Sequence, residues 1–125
     1  MTRPRLGRFE LHVLTRVWDH PETTIKEVWE PLYRERGLAY TSVASVLKKL
    51  EEKGYVEHVE RERTYYYSPI VGREDVCHGM LRELLDNLFD GSASRLVAAL
   101  FHSKDLSERD LEDIERLINE QRNGR

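Results

Sequence analysis

The sequence predicts a mainly α-helical chain interrupted by one small β-hairpin, and three observations predict it. Before residue 55, apolar side chains recur at helical spacing in three separate stretches. From Tyr55 to Ile70, β-forming residues flank a polar turn, Glu60-Arg61-Glu62-Arg63. After Pro69 the helical spacing returns in three further stretches.

The first stripe is Leu6, Phe9, Val13, Leu14, Val17 and Trp18, and Pro21 ends its helix. The second is Ile25, Val28, Trp29, Leu32 and Tyr33, with Thr23 or Thr24 suited to cap its start. Pro31 falls inside that stripe and removes one backbone bond, which predicts a kink. Gly37 is placed to close the helix in a left-handed conformation. The third stripe is Val43, Val46, Leu47 and Leu50, with Thr41 expected as cap and Gly54 as terminator. Val56, Val59, Thr64, Tyr65, Tyr66 and Tyr67 then supply two short strands. A long helix from Gly72 to Asp90 carries Val76, Met80, Leu81, Leu84, Leu85, Leu88 and Phe89 on one side. Gly91-Ser92 breaks it, and Ser92 or Ser94 starts a helix bearing Leu96, Val97, Leu100 and Phe101. Ser107, with Asp110 three residues on, opens the last helix, which bears Leu111, Ile114, Leu117 and Ile118.

Three helices followed by a hairpin is the order of a winged helix-turn-helix domain, in which the third helix enters the DNA major groove and the hairpin flanks it. The expected organisation is a DNA-binding domain over residues 1–71 and a helical dimerisation region over 72–125. The last three helices are amphipathic, closely connected and too thin for a core of their own. Pairing of two copies would bury their apolar faces, and a two-fold dimer suits a palindromic operator. The alternative is that they pack back on the first domain.

The chain has 125 residues, a third of them charged, with a net charge of −3. That balance argues against indiscriminate nucleic-acid binding, which depends on cationic charge. The charge is uneven: residues 1–70 hold 12 Lys and Arg against 11 Asp and Glu, and residues 71–125 hold 8 against 12. Local basic clusters stand at Arg3, Arg5 and Arg8 and at Lys48, Lys49 and Lys53. Cys77 is the only cysteine, which precludes an intrachain disulfide and a cysteine-based metal cluster and points mildly to a reducing compartment. No apolar run approaches the length that spans a bilayer, and no hydrophobic segment follows the basic N-terminus. A cytoplasmic location without membrane attachment is expected.

A set of residues runs almost end to end: Leu6-Gly7, Glu10-Leu11, Trp18 and Val28. It continues through Leu38-Ala39-Tyr40-Thr41, Val43, Val46-Leu47, Leu50, Lys53-Gly54 and Val56, then Arg63, Tyr65, Tyr67, Ser68-Pro69 and Arg73-Glu74. Leu84-Leu85, Leu88-Phe89, Gly91-Ser92, Leu96-Val97 and Asp105-Leu106-Ser107 complete it. On these residues the chain resembles the penicillinase-repressor family of bacterial transcription regulators, the BlaI/MecI group. The resemblance implies a homodimeric repressor that binds an inverted-repeat operator on double-stranded DNA. Three departures stand out. Glu62 occupies the wing position where the family usually has glycine, so the wing tip is acidic. The C-terminal cysteines of copper-responsive relatives are absent. The Asn-Phe bond cleaved by a protease in β-lactam-responsive relatives corresponds to Ala99-Leu100, which leaves that inactivating partner in question.

Nothing in the sequence suggests an enzyme or a cofactor. His12, His20, His58, His78 and His102 lack partners at metal or triad spacing, and no glycine-rich phosphate loop is present. The candidate DNA contacts are Thr41, Ser42 and Ser45, whose small side chains let the backbone approach base edges, and Lys48 and Lys49, which suit phosphates. Arg61 and Arg63 in the wing suit the DNA backbone or minor groove. The plainer reading of this helix is an amphipathic segment with a solvated face, with Thr41 acting only as a cap. Cys77 is expected to be a buried packing residue. A second function, from another class, is a winged-helix protein-protein interaction module, which the acidic total and acidic wing tip favour.

Overall fold

The computed structural model describes residues 4–124, so Arg3 of the basic N-terminal cluster lies outside the described residues. The chain divides into two compact units, residues 1–77 and 78–125.

In the first unit, α1 (Arg8–Asp19), α2 (Ile25–Arg36) and α3 (Tyr40–Glu52) precede the antiparallel strands β1 (Val56–Arg61) and β2 (Thr64–Pro69). The apolar stripes converge as expected. Val13, Leu14 and Val17 from α1, Val28 and Leu32 from α2, and Val43, Val46, Leu47 and Leu50 from α3 form one buried cluster with Tyr55, Val56 and Tyr67. Trp18 and Trp29 pack against this cluster, and each indole finds a carbonyl: Trp18 Nε1 donates to Val71 O at 2.9 Å and Trp29 Nε1 to Leu38 O at 3.0 Å. Thr23, in the α1–α2 connection, exchanges both backbone bonds with Tyr67, at 2.9 and 2.7 Å, and so adds a bridge to the edge of the hairpin.

Several local expectations are corrected. α1 begins at Arg8, after Leu6, because extended Gly7 takes the N-cap position and its N–H is held by Glu10 Oε1 at 2.7 Å. Helix α2, in contrast, runs on through Pro31 as its continuing stripe predicts, with Val28 and Leu32 buried on either side of it. Thr41 does not cap α3. Ala39 is the N-cap, in extended conformation and without a side-chain bond, so Thr41 already lies within the first turn. Cys77 is exposed: it lies one residue beyond Val76, the last α4 side chain buried in the first unit, and on another face of the helix.

Helix α4 (Arg73–Leu88) starts in the first unit, where Arg73 pairs with Asp19 at 2.7 Å and lies over the Trp18 ring. It ends before Asp90 and Gly91, both with positive φ, so it is shorter at each end than its sequence pattern suggests. Helices α5 (Ala93–His102) and α6 (Glu108–Asn123) follow, capped by Ser92 and by a reciprocal Ser107–Asp110 pair. Neither α5 nor α6 contains a buried residue among the described residues. No helix among the described residues is long and apolar enough to cross a membrane.

Candidate nucleic-acid interface

The turn between α2 and α3 is only three residues long. Gly37, at φ 67°, closes α2 by donating to Tyr33 O at 2.8 Å, a conformation that disfavours any residue with a Cβ. Trp29 secures the turn from beneath through Leu38 O and meets Tyr40 edge-on with ring centroids 5.7 Å apart. This staple sets where α3 begins. Ser42 and Val43 N–H both donate to Ala39 O, at 3.1 and 3.2 Å, and no side chain caps the first turn.

With Val43, Val46, Leu47 and Leu50 buried, α3 turns a defined line outward. Thr41, Ser45, Lys48 and Glu52 follow one another at helical spacing, with Lys49 beside them, and all five are exposed. Ser42 is half-buried at the flank of this line. Thus the structure brings five sequence-selected residues of α3 to one surface, short side chains first and amines last.

The wing is a two-residue hairpin. Arg61 pairs with Thr64, which leaves Glu62 and Arg63 alone at the tip with φ of 51° and 65°. Two left-handed residues in succession match the twist of the strands, and the position favours Asn or Gly. Arg63 is exposed there, between Thr64 and the exposed carboxylates of Glu60 and Glu62. Arg61 is engaged: its guanidinium pairs with Glu22 and lies 4.6 Å from the centroid of Tyr66. Residue spacing gives no hint of Glu22, which is remote in the chain and held in the left-handed region at φ 63°.

Two further clusters fix the wing and the N-terminal arm to α3, and neither is evident from residue spacing. In the first, His58 Nδ1 lies 2.6 Å from Glu51 Oε1, and the imidazole stacks on Tyr65 at 4.2 Å. Tyr67 closes this cluster from the buried side. Burial, then the Glu51 charge, pushes its hydroxyl pKa upward. In the second, Lys53 Nζ donates to Glu10 Oε1 and to Arg5 O, both at 2.8 Å, while the Tyr55 hydroxyl donates to Pro4 O at 2.8 Å. Burial opposes ionisation of Glu10. The Gly7 N–H, the Lys53 hydrogen bond and the charges of Lys53 and Lys49 outweigh it and hold its pKa below the ordinary value. No group of three or more His, Cys, Asp or Glu among the described residues is placed to hold a metal ion.

Residues 6–120 match the penicillinase repressor family. The chain belongs to this family. That is a family of transcriptional repressors rather than enzymes, and the resemblance and the winged-helix class expected from the sequence are borne out. The transcriptional regulator BlaI of Mycobacterium tuberculosis is 34% identical over 99 residues, which covers 78% of this chain and 70% of that protein. The fold is similar to the solution structure of the DNA-binding domain of the repressor BlaI, with a TM-score of 0.53 and 24% identity over 59% of this chain and 90% of that one. It is also similar to the monomeric form of Bacillus licheniformis BlaI in complex with the blaP half-operator, with a TM-score of 0.51, 24% identity and the same two coverages.

Proposed function

We infer that this penicillinase-repressor family member is a cytoplasmic homodimeric repressor that binds an inverted-repeat operator on double-stranded DNA, one α3 per half-site. The observation that carries this reading is the outward line on α3: an uncapped first turn, then Thr41, Ser45, Lys48 and Lys49 together at the surface opposite a buried stripe. Thr41, Ser42 and Ser45 would stand nearest the base edges, and Lys48 and Lys49 would meet phosphates. Arg63 and Arg61 would add wing contacts, with Arg61 exchanging Glu22 for a phosphate oxygen. That the Bacillus licheniformis relative forms a complex with a half-operator supports the DNA-binding reading.

Dimerisation through α4 to α6 is supported by the apolar surface those helices leave open. Leu84, Leu88, Val97, Leu100, Leu117 and Ile118 are all exposed. A functional division at residue 71 would differ from the packing division at residue 77 only by the first turn of α4. Half-sites would lie about one helical turn apart around the dyad. Ala99 and Leu100, which replace the Asn-Phe pair of β-lactam-responsive relatives, are both exposed on α5.

The test replaces Ser45 with Glu and measures binding to a duplex from the protein's own upstream region, with a scrambled duplex as control. Sequence-dependent binding that weakens steeply with salt in the wild type, and is lost in Ser45→Glu with circular dichroism unchanged, is the expected result. Unchanged affinity in the folded variant would remove α3 from the interface. The second reading, a protein-interaction module, is favoured by exposed Glu60 and Glu62 at the wing tip. Equal, weak binding to both duplexes would turn the assignment toward it.

A further inference from the structure

We propose that Glu22 sets the strength of the wing's grip on DNA: its carboxylate holds the Arg61 guanidinium in place of a phosphate, and must be displaced before Arg61 meets the operator backbone. This deepens the operator-binding reading and rests on it. Backbone bonds bring Glu22 to the wing. Thr23 exchanges two main-chain hydrogen bonds with Tyr67, at 2.9 and 2.7 Å, so the α1–α2 connection runs as a short third line beside β2. Side chains alternate between the two faces along such lines. Thr23 and Tyr67 are buried, and Glu22, Tyr66 and Arg61 gather on the other face. There the Arg61 guanidinium lies 4.6 Å from the Tyr66 ring centroid and pairs with Glu22. Among the described residues, Arg61 takes this remote carboxylate rather than Glu60 or Glu62 beside it in sequence.

Stability does not account for the arrangement. Both partners are open to water, with side chains 56% and 64% exposed, and pairs so exposed add little. Glu22 also stands at φ 63°, a conformation that a residue with a Cβ adopts at a cost. Strain of this sort, held in place by its surroundings, clusters at functional sites. The chemistry fits a stand-in for phosphate. A guanidinium offers the same planar fork of donors to two oxygens of a carboxylate or of a phosphate. Arg61 can keep Tyr66 against its face while its edge passes from one anion to the other. The exchange costs the pair and leaves the Glu22 carboxylate close to the bound phosphate. Arg61 therefore adds less to binding than an arginine with no competing partner would.

The experiment compares the full chain with Glu22→Gln, Arg61→Gln and the double variant on the upstream duplex across a salt series, with circular dichroism to check folding. Glu22→Gln should tighten binding about two- to fivefold at low salt, the range of an exposed ion pair. The gain should shrink as salt rises. In the Arg61→Gln background the same substitution should do almost nothing. Arg61→Gln should in turn weaken binding more in the Glu22→Gln background than in the wild type. Glu22→Asn, whose short polar side chain suits the left-handed backbone, should reproduce the gain and covers the case in which glutamine disturbs the turn. Equal tightening with and without Arg61 would overturn the proposal, because the carboxylate would then act only as a general negative charge. Weaker binding by the folded Glu22 variants would also overturn it, since the pair would then position the wing for DNA. Unchanged affinity in both, while Ser45→Glu abolishes binding, would overturn it and leave the operator reading standing. Absence of sequence-dependent binding by the wild type would overturn the operator reading and this proposal with it.

Discussion

The two halves of this chain carry the same kind of sequence pattern and put it to different use. In the first unit, the apolar stripes of three helices close on one another, and Leu14, Leu32, Leu47 and Leu50 are almost wholly buried. In the second, stripes of equal regularity on α5 and α6 leave Leu100 45%, Leu117 56% and Ile118 49% exposed. Periodicity reports that a helix needs an apolar partner, but not whether that partner belongs to the same chain. Where exposed apolar side chains join into a contiguous patch, they mark an association site more often than an inert face.

The largest expected effect sharpens this contrast. Leu47→Ala should destabilise the first unit by about 2–5 kcal/mol, through reduced transfer energy and the cavity left behind. Thermal or denaturant unfolding of the helical signal checks it. On the proposed dimer, Leu117→Asp should leave the unfolding of the first unit unchanged and separate the protomers in sedimentation, with half-operator binding retained. An unaltered sedimentation coefficient would remove α6 from the interface.

A smaller effect concerns acid. Burial works against ionised Glu10, but the Gly7 and Lys53 bonds outweigh it and hold its pKa low; the Thr24 backbone bond, opposed by slight burial, holds Glu27 low. Both carboxyls bind protons more readily in the unfolded chain. The stability they contribute is therefore present above the unfolded pKa of about 4.3 and is lost as pH falls through their lower folded values. Most of this belongs to Glu10, since Glu27 is exposed to solvent screening. Glu10→Gln should flatten the acid limb of the stability curve, and unfolding measured between about pH 6 and about pH 2 reads it directly.

The smallest effect is at the wing. Glu62→Gly should relieve the left-handed strain and raise stability by about 1 kcal/mol. It should also tighten operator binding by removing a carboxylate from the tip. Tighter binding without added stability would mean that charge, not backbone strain, limits the wing.

Much of the fold is legible in the sequence because it is written in local terms. The stripes, the Thr24, Ser92 and Ser107 caps, and the Gly37 closure follow from short-range spacing. The start of α3 does not, because Ala39 is set as N-cap by Gly37 and by the Trp29–Leu38 bond rather than by a capping side chain. The exposure of Cys77 escapes sequence reasoning because a lone thiol beside an apolar stripe reads as core until the neighbouring packing is known. At the candidate site, residue types on α3 are enough to select its outward line. The engagement of Arg61 by Glu22 and the Glu10–Lys53 latch join residues far apart in the chain, and no spacing rule connects them.

The bridge between Thr23 and Tyr67 has a consequence for the order of folding. The hairpin closes locally through a two-residue turn and can form within microseconds. Its seat beside α2 exists only once Thr23, far earlier in the chain, has come into place and both backbone bonds have formed. Closing that long loop costs entropy before any contact offsets it. The wing is thus quick to form and slow to dock, which makes the two-bond bridge a late and cooperative event. A nascent chain would carry its hairpin loosely until the bundle closes, and would acquire a fixed wing and a complete outward surface in the same step.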